Sequence, residues 1–324
     1  MNHASLAWTS LLSKENRRHV RIGGTLSITI RRLSYALGAE MTGADISGSL
    51  NEETLRQIKD TLAEYHVLLF RGHSIGRTQH IEFARHFGET LFHPPEHLRD
   101  RAETDPDVSA VVSMVIHEPT AGPQAVGGSW HSDLDEFPSP AAISLLRCVK
   151  LPDVGGNTMF ANMHRAYDEL STGMKALLGD LYGVYFRGQP EFDLSTPERY
   201  RESRLSYAAA AQPVVRTHPE SGRKALFVSS RTKHFVAMTG DESRPLIDYL
   251  VDRATRPENV YRHQWQEGDL VIWDNRSVVH YAVPDYDPDT YRHMERVTTM
   301  GDVSGYRYLG PIGRWPGAEQ PIAV

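Results

Sequence analysis

Trp130-His131-Ser132-Asp133 sets an imidazole and a carboxylate two residues apart. On an extended strand residues i and i+2 share a face, so His131 and Asp133 can aim a nitrogen and an oxygen at one metal ion. That is two-thirds of the 2-His-1-carboxylate set that holds non-haem Fe(II) and leaves coordination positions open. A histidine on a second strand would complete it. His280, at the end of Trp273-Asp274-Asn275-Arg276-Ser277-Val278-Val279-His280, follows a tight polar turn and is the preferred partner. His93, His97, His117, His164, His218, His234, His263 and His293 compete, and a lone histidine is more often a core or surface residue than a ligand. Asp135 and Glu136 are expected to lie outside the ligand set.

Elements able to position such a set can be read along the chain. Residues 26–30 alternate as a first strand; Asn51 offers an N-cap to a helix carrying Leu55, Ile58, Leu62 and Tyr65. The apolar run 67–70 reads as a buried strand, and Ile81, Ala84 and Phe87 mark a second helix ending at Gly88. Residues 92–129 are irregular apart from an expected strand at 108–114, and the Gly/Pro-rich stretch 118–128 reads equally as a substrate-gating lid or a surface excursion. Strands are expected at 142–149 and 157–161, one helical pattern through Tyr167, Leu170, Met174, Leu177 and Leu178, and an overlying insertion at 186–212. A hairpin turns at 219–222, a helix surrounds Leu246–Val251, and strands at 260–265, 270–273, 278–283 and 296–300 fill the last third.

No strand is followed by a glycine-rich phosphate loop, so a nucleotide fold gains no support. Short strands with turns between them predict a mainly β protein with flanking α-helices, a jelly roll or cupin-like double sheet. With no internal repeat or linker, residues 25–324 read as one domain after an N-terminal extension, 1–24, that carries Lys14, Arg17, Arg18 and Arg21 against Glu15 alone. At 324 residues and 40% hydrophobic the chain can bury a large core. A net charge of −6 argues against nucleic acid or an anionic membrane as partner and leaves a small-molecule substrate. Cys148 is the one cysteine, set in an apolar run, which fits a reducing, cytoplasmic setting; no run is long enough for a transmembrane helix, and the opening residues lack a secretory signal. The oligomeric state is left open, and a homo-oligomer is compatible with all of this.

The motifs in order carry a resemblance. Trp130-His131-Ser132-Asp133, Leu151-Pro152 with Gly155-Gly156-Asn157-Thr158, Gly268-Asp269-Leu270-Val271-Ile272-Trp273-Asp274-Asn275-Arg276 with His280, and Arg292-His293-Met294-Glu295-Arg296 resemble the signature of the taurine/dichlorophenoxyacetate dioxygenase family over roughly residues 26–304. That resemblance implies a double-stranded β-helix and an Fe(II)- and 2-oxoglutarate-dependent oxygenase that uses O2, hydroxylates an unactivated C–H and releases succinate and CO2. It implies His131, Asp133 and His280 as iron ligands, with Thr158 and Arg292 binding the distal carboxylate of 2-oxoglutarate. An arginine fork suits a carboxylate through two parallel charge-assisted hydrogen bonds. Arg296, four residues on, shares that face and would contact a substrate anion or buttress the cosubstrate pocket. Trp273 would pack beside the iron, and His93 would line the substrate side.

Departures from the family narrow the substrate. Gly127 stands where taurine-oxidising members carry asparagine, and Glu96 where they carry tyrosine, so taurine itself is disfavoured and a larger or differently charged molecule expected. One extra residue separates His280 from Arg292, within a stretch that a loop can absorb. Because Asp133 keeps the carboxylate ligand, hydroxylation is expected over chlorination. The rival reading is a non-oxidative cupin-like metal protein, a small-molecule sensor or a metal hydrolase; neither would need Thr158 with Arg292.

Overall fold

The computed structural model describes residues 16–22, 26–73, 75–90, 100, 102–109, 111–118, 127–186 and 209–310. The chain opens with strands β1 (Arg17–Ile22), β2 (Leu26–Arg32) and β3 (Ala39–Thr42), then helix α1 (Glu52–Tyr65), β4 (Val67–Phe70), α2 (Arg77–Arg85), the single turn α3 (Pro106–Ser109) and β5 (Ser113–His117). Next come β6 (Ala141–Lys150), β7 (Thr158–Asn162), α4 (Met163–Asp168), α5 (Thr172–Leu178), β8 (Tyr182–Phe186), β9 (Ala209–Pro213), β10 (Val215–Thr217), β11 (Lys224–Leu226) and α6 (Gly240–Ala254). The last strands are β12 (Val260–His263), β13 (Leu270–Asp274), β14 (Val278–Ala282), β15 (Arg292–Met300) and β16 (Tyr306–Arg307).

Eight strands form the larger sheet in the order β1-β2-β3-β4-β13-β6-β15-β5, and β12-β7-β14 form a smaller one. Strand alternation assigns their side chains to two cores. Leu68 and Phe70, Ile143 and Leu145, Leu270 and Ile272, and Val297 pack outward against Ile58 and Leu62 of α1 and Ile81 and Phe83 of α2. The intervening Val67, Leu69, Leu146, Cys148, Val271, Trp273 and Met294 point the other way, onto Phe160 of β7 and Val278 of β14. Burying both faces explains why β4 reads as an unbroken apolar run. The two sheets share this inner core, which is the jelly-roll arrangement.

Several expectations shift. Within the expected N-terminal extension, Arg17–Ile22 pairs antiparallel with β2 through the whole of its length, so this part is a sheet edge. The strand expected at 108–114 begins at Ser113: Asp105 Oδ1 accepts Asp107 N at 2.9 Å and Pro106 opens a helical turn that buries Val108. The single helical pattern at 167–178 splits because Ser171 caps a new helix by accepting Met174 N at 3.2 Å. Ala209–Pro213, all but its last residue expected inside an insertion, is a buried strand paired with β8, and the strand expected at 296–300 starts four residues earlier at Arg292. Residues 119–126 of the expected lid and 187–208 of the insertion lie outside the described residues. Asn51 caps α1 as expected, accepting Thr54 N at 2.8 Å.

Candidate metal centre

His131 and His280 form an antiparallel bridge: His131 N–H donates to His280 O at 3.0 Å and His280 N–H to His131 O at 2.8 Å. The cross-strand pair brings the imidazoles together, centroids 4.1 Å apart. Asp133 lies two residues beyond His131, and one donor atom from each of His131, Asp133 and His280 falls within 4.8 Å of the others, all three side chains buried. His131 Nδ1 donates to Ser129 O at 2.7 Å, which leaves Nε2 with its lone pair for a metal. Asp135 and Glu136, also buried, are not in this cluster; burial and Glu136 push Asp135 well above the ordinary carboxylate range.

The electrostatics suit a divalent cation. Burial, then His280 and Arg231, push His131 well below the usual histidine range, and burial lowers His280 to about 4 against the pull of Asp133. Both are therefore neutral at pH 7, the form in which an imidazole can bind a metal. Burial alone would raise Asp133, yet Arg296, His280 and His131 together hold it well below the carboxylate range, so it is an anion. Two neutral nitrogens and one carboxylate match the Fe(II) donor set.

Around the triad, strand alternation brings a supporting layer inward. Ser144 of β6 donates to Asp133 Oδ2 at 2.6 Å. Asn275, just beyond β13, accepts Asp133 N at 3.1 Å and Trp273 Nε1 at 3.0 Å, and donates to Ser144 Oγ at 2.9 Å. Trp273 stacks at a tilt on His280, centroids 4.8 Å apart. Arg296 Nη1 donates to Asp133 Oδ1, so this guanidinium already faces the cluster. Ser144 and Asn275 carry no expected role in the sequence; a small polar residue inside the apolar run 141–146 is the signal that could have marked Ser144.

A second buried cation, on the same strand as Arg296, has no counter-ion among the described residues. Arg292 is 6% exposed, donates through Nη2 to Gly156 O at 3.2 Å, and its Nε has no partner. An orphaned buried guanidinium fits an anionic ligand that remains to be supplied, as a 2-oxo acid carboxylate would do. Gly156 is required here: its φ is +69° and a Cβ would lie 3.1 Å from Arg292 Nε. Thr158, two residues on, accepts Trp265 Nε1 at 3.0 Å, which leaves its hydroxyl proton to donate elsewhere. Gly127 is likewise constrained, with φ +89° and His131 Cε1 only 3.3 Å from a built Cβ, so a side chain there would crowd the ligand. His93 and Glu96 lie outside the described residues.

Comparison with known proteins fits these features. The family model described as taurine catabolism dioxygenase TauD, TfdA family, matches residues 29–298. An alkylsulfatase of Acinetobacter baylyi is 35% identical over 288 residues, covering 86% of this chain and 87% of that protein. An alpha-ketoglutarate-dependent 2,4-dichlorophenoxyacetate dioxygenase of a Burkholderia species is 32% identical, covering 85% and 95%. The crystal structure of AAD-2 with Mn(II) and N-oxalylglycine, a 2-oxoglutarate analogue, superposes with a TM-score of 0.70 at 32% identity, covering 85% of this chain and 98% of that one. The chain belongs to the TauD/TfdA family and is a dioxygenase dependent on Fe(II), 2-oxoglutarate and O2.

Proposed function

We propose that His131, Asp133 and His280 hold the iron, that Arg292 and Thr158 hold the distal carboxylate of 2-oxoglutarate, and that the substrate is a small organic monoanion. The observation that carries the reading is the pairing of a neutral-neutral-anionic triad within 4.8 Å with a buried arginine that has no counter-ion among the described residues. A sensor or hydrolase would have no use for that second feature. Bound Fe(II) with the cosubstrate supplies an oxidant able to take hydrogen from carbon. The chain's own residues do the rest: Ser144, Asn275 and Arg296 fix the Asp133 carboxylate, Ser129 O fixes the His131 tautomer, and Trp273 excludes water beside His280. On the substrate side, Arg296, Trp273 and His93 keep the roles expected of them.

Sulfate esters and aryloxyacetates, named for the relatives above, share one negative group and an organic tail with a C–H beside oxygen. Hydroxylation at that carbon yields a hemiacetal from the aryloxyacetate and a 1-hydroxyalkyl sulfate from the sulfate ester. In either, the C–O bond to the leaving group then breaks, the hydroxyl proton leaves with sulfate or phenolate, and a carbonyl compound forms. We read the chain from β1 onward as one cytoplasmic oxygenase domain, without nucleic-acid or membrane partner; among the described residues no helix is long and apolar enough to cross a membrane. The test incubates the pure protein with Fe(II), 2-oxoglutarate, O2 and hexyl sulfate or 2,4-dichlorophenoxyacetate. Succinate should form in step with sulfate plus hexanal, or with dichlorophenol plus glyoxylate. Sulfate release that ignores 2-oxoglutarate would favour a hydrolase instead.

A further inference from the structure

Residues 283–291 join β14, the strand of His280, to β15, the strand of Arg292. From Pro284 to Asp289 this segment is exposed except at Tyr286, which turns inward. It is fastened along its length. Val283 N–H donates to Asn157 O at 2.8 Å, Gly156 N–H donates to Asp285 Oδ1 at 2.9 Å, and Asp285 Oδ2 pairs with Arg262. Gly155 has φ +85° and a Cβ there would collide with Asp285 O, so only glycine permits the approach. Asp287 closes a turn, its carbonyl accepting Thr290 N–H at 3.0 Å and its Oδ1 accepting Asp289 N–H at 2.9 Å.

Two contacts tie the segment to Arg292. The first is the Gly156 peptide, whose N–H goes to Asp285 while its carbonyl accepts Arg292 Nη2 at 3.2 Å. The second is His117. The β5–β15 register sets His117 opposite Arg292, and residues so paired project to one face with Cβ atoms about 5 Å apart. His117 is 6% exposed; its Nε2 donates to Pro288 O at 2.9 Å, and its Nδ1 has no partner among the described residues. The Pro288 carbonyl is therefore what fixes the polar edge of this imidazole. Its ring meets Tyr286 edge to face, centroids 5.2 Å apart. Tyr286 is thereby placed beside the Arg292–His117 pair; burial lowers Arg292, and Tyr286, ahead of Cys148, opposes that fall.

We propose that Tyr286, held by His117 through Pro288 and by Gly156 through Asp285, walls the distal end of the 2-oxoglutarate pocket and sets the length of 2-oxo acid that Arg292 accepts. His117 acts in this as a positioning residue. The inference rests on the reading of Arg292 given above and adds residues to that site. Arg292 is confined by Gly156, against which its Nε lies, and by the aromatic pair, so its guanidinium cannot retreat to admit a longer chain. The phenol ring also keeps water from the arginine–carboxylate pair, whose attraction grows as the local dielectric falls.

The test titrates the full chain, loaded anaerobically with Fe(II), with 2-oxoglutarate, 2-oxoadipate and 2-oxobutanoate, each Kd being read from the metal-to-ligand absorption band. The three acids share the chelating end; the second has one more methylene before its distal carboxylate, and the third has no distal carboxylate. Wild type should prefer 2-oxoglutarate to 2-oxoadipate by about tenfold or more, the worth of one methylene in a closed pocket. Tyr286→Ala should weaken 2-oxoglutarate by about tenfold, bring the two dicarboxylates to within about threefold of each other, and leave 2-oxobutanoate within about twofold. Tyr286→Phe, which keeps the ring, should stay close to wild type. His117→Ala should narrow the same preference, and His117→Gln, whose amide can still donate to Pro288 O, should restore part of it. A Tyr286→Ala protein that keeps the wild-type preference between the dicarboxylates overturns the proposal. So does an equal weakening of 2-oxobutanoate, the mark of general damage, or a wild type that binds both dicarboxylates alike. A wild type that shows no band with any acid, or prefers neither dicarboxylate to 2-oxobutanoate, would instead overturn the reading of the iron or of Arg292 on which it rests.

Discussion

Among the described residues, two clusters bring a buried aspartate together with ligand-type neighbours: Asp133 with His131 and His280, and Asp274 with His218 and Glu220. Residue types alone do not separate them. The use of lone pairs does. Asp274 Oδ1 accepts the Arg276 N and Nε, each at 2.9 Å, and Oδ2 accepts Arg276 Nη2 at 2.7 Å and His218 Nε2 at 2.9 Å. His218 Nδ1 accepts Ser221 N at 3.2 Å, so both its nitrogens are engaged, and the exposed Glu220 holds Arg276 at 3.1 Å. In the first cluster His131 keeps Nε2 free and His280 Nε2 stands 3.9 Å from Asp133 Oδ1, too far for a hydrogen bond and close enough to share an ion. A metal centre is a group of donors left incompletely satisfied by the protein; an ion-pair network is the same group with the cation built in as Arg276.

The largest effect should come from breaking the first cluster. Asp133→Ala or His280→Ala should abolish the visible absorption band that Fe(II) and 2-oxoglutarate give together, since two ligands cannot hold the ion as three do. A band that survives either substitution would remove that residue from the ligand set. Next in size is Asp274→Asn, which removes a buried anion, only 2% exposed, from its network. It should leave one iron per chain bound, yet lower the unfolding free energy in urea by about 3 kcal/mol, because Arg276 and His218 lose their partner. A wild type that binds two irons, falling to one in Asp274→Asn, would make the second cluster a metal site and dissolve the contrast.

Much of the first cluster was legible because it is written in local spacing. His131 and Asp133 share a face by strand period, and Arg292 with Arg296 do so on β15. The family motifs then singled out His280 among many histidines. What could not be read is the layer that depends on pairs far apart in the chain: Ser144 on Asp133, Asn275 on both Asp133 and Trp273, Trp265 on Thr158, Ser230 on Trp130. Each of these follows from sheet register and closure, which one sequence does not reveal. The helix N-caps divide on local grounds: Asn51 is plain in the sequence, whereas apolar periodicity runs through Ser171 and masks it. Gly127 reads in sequence as a missing contact, and its positive φ beside His131 adds a conformational reason for glycine.

The second cluster should also govern acid sensitivity. His66 packs against His164 at 5.0 Å between centroids, and its carbonyl accepts Asp274 N at 3.0 Å. Burial, then His164, lower it to about 3. A histidine depressed in the folded state contributes stability that is present above its unfolded value near 6.5 and is lost as pH falls toward 3. At pH 5 that single group costs about 2 kcal/mol relative to neutral pH. His66 has φ 66°, a left-handed conformation that asparagine tolerates. His66→Asn should therefore flatten the fall of Tm between pH 7 and pH 5 while leaving iron stoichiometry at one. An unaltered slope would show that His66 is not kept neutral by its surroundings.

The smallest predicted effect tests the contrast at a single hydrogen bond. In the Asp274 network every acceptor is filled, whereas at Thr158 the Trp265 indole fills one acceptor position and thereby directs the hydroxyl proton away from itself. That proton is the one a carboxylate on Arg292 would receive. Trp265 is 7% exposed and meets His263 edge to face at 4.5 Å, so phenylalanine keeps most of the packing while removing only the N–H. Trp265→Phe frees the Thr158 hydroxyl to rotate, and should raise the 2-oxoglutarate Kd about twofold to tenfold, the worth of one neutral hydrogen bond, with Fe(II) affinity unchanged. Thr158→Val in the Trp265→Phe background should then add little, because the oriented hydroxyl is already lost. Full additivity of the two substitutions would mean that the indole and the hydroxyl act independently, and that Thr158 does not owe its orientation to Trp265.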